Sequence, residues 1–147
     1  MLKLALLNWK GTGMGRRLLI VENQVIIAMD IAERARRRGW TPCGPHAGVA
    51  DALAALQRER PDAAVLDLSL HADQDCTPLC EALQEAGAPF VFTNSHAKRF
   101  DALFPDAPRL EKPFSDDDFA AALARLEAEA GTPERAPGPD REPPAPA

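Results

Sequence analysis

No stretch of the chain approaches the roughly 20 consecutive apolar residues that a bilayer crossing requires, so no membrane-spanning helix is expected. The opening segment Met1 to Gly15 holds only a short apolar stretch, Leu4 to Leu7, below the roughly 7 to 15 residues of a secretory-leader core. Cysteine is scarce. The three present, Cys43, Cys76 and Cys80, are an odd number, which argues against a disulfide framework and points to a reducing cytoplasm. Cys76 and Cys80 share the spacing of one helix face, but no second pair of Cys or His ligands follows at a finger spacing. His46, His71 and His96 are scattered, so no zinc cluster is expected. Basic charge is in deficit, 17 Lys and Arg against 22 Asp and Glu, and a net charge of −5 gives no electrostatic reason to expect nucleic acid. The one basic run, Arg34, Arg36, Arg37 and Arg38, falls where a helix should end and is read as a solvated complement to its dipole.

What is present is one domain's worth of chain: 147 residues, 46% hydrophobic. From Arg16 to Ala130, short apolar runs alternate with longer stretches of helical spacing, the pattern of repeated βα units around a parallel sheet. Leu18 to Glu22 reads as a strand covered on both faces. Val25, Ile26, Met29, Ala32 and Ala35 mark a helix that Gly39 ends. Thr41 to Gly44 is a weak strand, placed at a sheet edge because Pro42 and Pro45 lack ladder donors. Val49, Ala50, Leu53, Ala54 and Leu56 mark the second helix, and Ala63 to Leu68 is the best-defined strand. A third helix over Thr77 to Ala86, with Pro78 in its first turn, stops at Gly87. Phe90 to Thr93 is the fourth strand, Ser95 to Phe104 a short and weakly specified helix, and Arg109 to Glu111 a brief fifth strand. Ser115 and Asp118 suit an N-cap for a last helix that buries Phe119, Leu123 and Leu126. The fold class is therefore α/β, a doubly wound five-stranded parallel sheet with helices on both faces.

Three segments follow: a leader, 1–15, the domain, 16–130, and a tail, 131–147. The tail has six prolines and almost no apolar bulk, so it is expected to be disordered by itself. Gly11, Gly13 and Gly15 alternate as in a phosphate loop, yet they precede the first strand instead of following it; a flexible leader, with Met14 as a candidate start, is the reading adopted.

Open parallel sheets bind ligands in the crevice at the carboxyl ends of their strands. There the sequence places Glu22 and Asn23, then Asp67, then Thr93 and Asn94, then Lys112. An aspartate in the apolar run Ala64-Val65-Leu66-Asp67-Leu68 is costly to bury unless a cation compensates it. Lys112 and a bound Mg²⁺ are the candidates, because carboxylate, amide and carbonyl oxygens suit magnesium. A carboxylate so placed can attack a phosphoryl donor and yield an aspartyl phosphate.

Leu19-Ile20-Val21-Glu22-Asn23, Val65-Leu66-Asp67-Leu68 and Glu111-Lys112-Pro113-Phe114 together resemble the three hallmark blocks of response-regulator receiver domains, over roughly Arg16 to Ala130. The resemblance implies a flavodoxin-like strand order of 2-1-3-4-5. It implies Asp67 as phosphoacceptor, Lys112 as the cation on the phosphoryl group, Glu22 and Asn23 as the metal pair, and the Ser69 carbonyl as a further metal ligand. A sensor histidine kinase is the implied partner, with output through protein contact at the face of the fourth helix, fifth strand and last helix; a homodimer is left open. Phe90-Val91-Phe92-Thr93-Asn94-Ser95 is similar to the fourth-strand region of single-domain receivers that act with sensor kinases in bacterial stress signalling.

Three positions depart from that pattern. Asn23 stands where a second acid is usual, which removes a unit charge from the metal's ligands and costs on the order of a few kcal/mol of attraction. The usual hydroxyl after the fourth strand is Thr93 or Asn94, depending on the register. Arg109 stands where a relay aromatic is common. A degenerate receiver acting as a phosphorylation-independent interaction module is therefore the alternative. A phosphohydrolase with an aspartate nucleophile is a third reading, disfavoured because Ser69 stands where the haloacid-dehalogenase pattern has a second aspartate.

Overall fold

Why the chain folds as it does is plainest in its first strand, where Leu18, Leu19, Ile20 and Val21 are all buried and alternate between the two faces of a sheet. The computed structural model describes residues 16–67, 75–93, 104–105 and 107–130. Eight elements run in the order β1 (Arg17–Val21), α1 (Val25–Arg37), β2 (Thr41–His46), α2 (Val49–Glu59), β3 (Ala63–Leu66), α3 (Thr77–Glu85), β4 (Phe90–Phe92) and α4 (Asp116–Ala130). The strands are parallel and ordered β2-β1-β3-β4. Val21 pairs with Leu66, and Leu66 with Phe92, so three strands end level with one another.

Two apolar layers cover the sheet. Leu19, Val21 and Leu66 pack against α2 and α3 through Ala52, Ala55, Leu79 and Leu83. Leu18, Ile20 and Val65 pack on the other side against Ile31, Ala32 and Ala35 of α1 and Phe119, Leu123 and Leu126 of α4. All three cysteines are buried, and burial pushes the Cys80 thiol up to about 12.

Three sequence expectations need adjustment. The apolar repeat of α1 correctly marks a helix, but its buried face is Ala28, Ile31, Ala32 and Ala35, whereas Val25, Ile26 and Met29 lie in solvent. Small side chains let the helix approach the sheet closely along this face. β2 extends to His46 despite Pro42 and Pro45, because it is an edge strand with a register break between its partners Leu19 and Val21. Gly44 sits in that break at φ 100°, where a Cβ would meet the His46 backbone and ring at 2.7 Å. The fifth strand is reduced to one parallel bridge between Phe92 and Arg109, with the Phe92 N–H donating to Pro108 O at 3.0 Å and the Leu110 N–H to Phe92 O at 2.7 Å. Pro108 and Pro113 bracket it and deny it further donors.

Ser115 caps α4 as expected: its hydroxyl accepts the Asp118 N–H at 3.0 Å, and Asp118 accepts the Ser115 N–H at 3.3 Å. Arg34 and Arg38 both reach Asp116 at 3.1 Å, and Arg36 and Arg37 reach Glu33, so each member of the basic run has an acidic partner. Among the described residues no helix is long and apolar enough to cross a membrane. The leader, the Ser95 to Leu103 part of the weak helix, the tail, Ser69 and Asn94 lie outside the described residues.

Candidate functional site

Each of the three level strands is followed at once by a polar residue whose backbone continues the ladder. The Glu22 N–H donates to His46 O at 2.9 Å, the Asp67 N–H to Val21 O at 3.0 Å and the Thr93 N–H to Leu66 O at 2.8 Å. These bonds fix the three side chains along the carboxyl-end edge of the sheet. Glu22, Asp67 and Thr93 are also the buried polar or charged side chains among the described residues, none more than 2% exposed. Protein interiors avoid such groups unless they are paired or used, so their convergence at one edge marks the site.

Lys112 reaches them from just beyond the β4–Arg109 bridge. Its Nζ donates to Asp67 Oδ2 at 3.3 Å and to Glu22 Oε1 in a closer contact, and the ammonium retains only modest solvent exposure. Glu22 Oε2 accepts the Gln24 N–H at 3.1 Å. Burial, and then the hydrogen-bonded and like-charged Asp67, hold the Glu22 carboxyl above its usual range, while Lys112 and the Gln24 N–H pull the other way. Two carboxylates therefore share one ammonium, and the crevice keeps an excess of negative charge when both are ionised.

Thr93 adds a hydroxyl, presently donated to Leu66 O at 3.4 Å. Asn23 follows Glu22 and is partly exposed at the mouth of the crevice. Arg109 lies beside the strand below, its guanidinium 4.5 Å from the Phe92 ring centroid and its Nη1 donating to Ala107 O at 3.3 Å. The structure thus brings together Glu22, Asp67, Thr93 and Lys112 of the residues singled out in the sequence. Sequence reasoning missed Gln24, whose contribution is a backbone N–H and leaves no side-chain signal. It also missed the exposed patch of Val25, Ile26 and Met29 beside the crevice.

No family model matches the chain. Among solved structures, SdrG from Sphingomonas melonis Fr1 is 40% identical, with a TM-score of 0.66 over 76% of this chain and 95% of that one. The response regulator PhyR from Brucella abortus is 27% identical, with a TM-score of 0.63 over 76% of this chain and 49% of that one. The chain belongs to the response-regulator receiver domains.

A receiver protein from Sinorhizobium medicae WSM419, 21% identical with a TM-score of 0.68, shares the fold. The transcriptional regulatory protein PdtaR of Mycobacterium tuberculosis is 28% identical over 112 residues, 74% of this chain. This receiver spans about half the length of that curated relative, 55% of it. The flavodoxin-like α/β architecture expected from the motifs is the one the receiver adopts, with the described strands in the order 2-1-3-4 and Arg109 bridged on the outer side of β4.

Proposed function

We propose that this receiver accepts a phosphoryl group on Asp67 from a sensor histidine kinase and passes the signal on by protein–protein contact. The observation that carries the reading is the Lys112 ammonium held between two fully buried carboxylates at a strand-end crevice. In the transfer, an Asp67 oxygen attacks phosphorus as the P–N bond of a phosphohistidine breaks. The electron pair of that bond leaves with the imidazole, and the product is an acyl phosphate. Lys112 is placed to neutralise phosphoryl oxygen charge, and the Thr93 hydroxyl can turn from Leu66 O to donate to the same group. We assign Thr93 to the switch position because it follows β4 as Asp67 follows β3.

Receiver domains generally bind Mg²⁺, and the uncompensated charge of the Glu22 and Asp67 pair fits a divalent cation. Glu22, Asn23, Asp67 and the Ser69 carbonyl would hold it, and the ion would supply positive charge to the transferring phosphoryl group. Asn23 offers an oxygen without charge, so affinity for the ion is expected to be low.

The donor must bring its phosphohistidine to Asp67 and therefore covers the rim of the crevice. Val25, Ile26 and Met29 form the exposed apolar part of that rim, with Ile26 84% exposed. In this reading residues 16–130 are the receiver, 1–15 a leader and 131–147 a tail, in a cytoplasmic protein.

Intact-mass measurement after incubation with acetyl phosphate and Mg²⁺ tests the assignment. The wild-type chain should gain one phosphoryl mass and Asp67→Asn should not; a label persisting on the variant places the acceptor elsewhere. Asn23 favours a second reading, a pseudo-receiver that has kept the fold and lost the chemistry. SdrG has been solved in a beryllofluoride-activated conformation. The same phosphoryl mimic, added here with Mg²⁺, should shift the Thr93 and Lys112 amide resonances saturably, whereas unchanged resonances would favour the pseudo-receiver.

A further inference from the structure

Opposite the crevice, at the amino-end edge of the sheet, a cavity of about 600 Å³ opens between the end of α3, the start of β4 and the end of α4. Its volume is within the range of ligand-sized clefts. Phe90 and Phe104 form its aromatic wall, their rings edge to face with centroids 5.6 Å apart, and Pro89 and Pro108 flank them. Phe92 braces both rings from behind, 5.4 Å from Phe90 and 6.3 Å from Phe104. Glu129, the penultimate residue of α4, lines the rim.

We propose that the proline-rich segment 131–147 of this same chain folds back and seats its prolines in the cavity of Phe90 and Phe104. The segment begins two residues after Glu129, so Pro133 lies within about 12 Å of the rim even along an extended polyproline helix. It carries six prolines in seventeen residues and no aromatic or aliphatic residue larger than alanine besides them. Such a sequence cannot build a core of its own. Proline-rich sequences in general favour the polyproline conformation, however, so docking on an aromatic-lined groove costs them little conformational entropy. A second cavity of about 560 Å³ between α2 and α3 is lined by Leu53, Leu56 and Arg60 and has no aromatic wall, which is why the first is the better seat. With the tail so placed, the Asp67 crevice at the opposite edge stays open. The proposal stands independently of phosphorylation.

The test is carried out on the isotopically labelled full chain. Nuclear Overhauser contacts are expected between the ring protons of Phe90 or Phe104 and proline ring protons of segment 131–147. Replacing all six tail prolines by serine should abolish them and shift the Gly87, Ala88 and Ala107 amides. The thermal midpoint should change little, since the replacements leave every residue of β1–β4 and α1–α4 unaltered. Absence of the contacts overturns the proposal, as does a serine variant whose Gly87 and Ala107 amides do not move. Contacts that appear only between labelled and unlabelled chains in a mixed sample also overturn it, because the occupant is then the tail of a second copy.

Discussion

The two edges of this sheet treat charge in opposite ways. At the amino-end edge, polar groups are partnered near solvent: the Arg17 N–H donates to Asp62 Oδ2 at 2.7 Å, Arg17 Nη1 to Glu59 O at 2.9 Å, and the buried Trp40 indole N–H to Glu127 Oε1 at 3.1 Å. At the carboxyl-end edge, two carboxylates and a hydroxyl are buried around a single ammonium. One edge is arranged for stability, while the other gives up stability to keep reactive groups out of water. Burial of unbalanced charge, more than the mere presence of charge, separates the reactive edge from the structural one.

The sharpest way to break this contrast is to remove the ammonium. Lys112→Met leaves Glu22 and Asp67 facing each other, and unfolding titrations at neutral pH should show a loss of about 3–5 kcal/mol, the scale for a buried pair deprived of one partner. Phosphoryl uptake should fall with it.

Removing one of the competing carboxylates should do the reverse. The folded-state pKa of Glu22 is raised, so its contribution to stability is fully present below the unfolded value near 4.5 and is lost as pH rises through the folded value. Glu22→Gln should therefore gain on the order of 1 kcal/mol at neutral pH without added metal and flatten stability above pH 4.5. A variant whose pH profile follows the wild type would show that Glu22 is not the strained member.

Changes at the structural edge should be smaller and leave the chemistry alone. Trp40→Phe deletes the indole donor to Glu127 and should cost about 1 kcal/mol by thermal or denaturant unfolding, with phosphoryl uptake unchanged. At the rim, Ile26→Glu should leave stability within roughly 0.5 kcal/mol, because its side chain touches little. It should slow labelling by a histidine kinase several-fold while labelling by acetyl phosphate proceeds as before. Equal slowing with both donors would remove Ile26 from the docking surface.

Much of this was legible in the sequence because it rests on short-range rules. The runs Leu18 to Val21 and Ala63 to Leu66 can only be strands covered on both faces, and a polar residue ending each such run must lie at the carboxyl-end edge. Glu22, Asp67 and Lys112 could be named for that reason. What could not be read depends on distances that no local pattern encodes. Lys112 bonds to Glu22 more closely than to Asp67, since side chains 90 and 45 residues away compete for it only after folding. The helical repeat of α1 could not say which apolar residues would be covered, because Ala28, Ala32 and Ala35 pack just as well as larger residues against a nearby sheet. The extent of the fifth strand, Arg109 to Glu111, was harder to read, because Leu110 is its one apolar residue and its pairing in the described residues is a single bridge at Arg109 between Pro108 and Pro113.

The three native thiols have a practical consequence. Cys43, Cys76 and Cys80 are all sealed within one apolar layer, so a single cysteine introduced on the surface should react with a maleimide dye while the native three stay silent. Dyes attached near the crevice or on α4 could then follow the response to a phosphoryl donor by energy transfer, without first stripping the chain of its own sulfur.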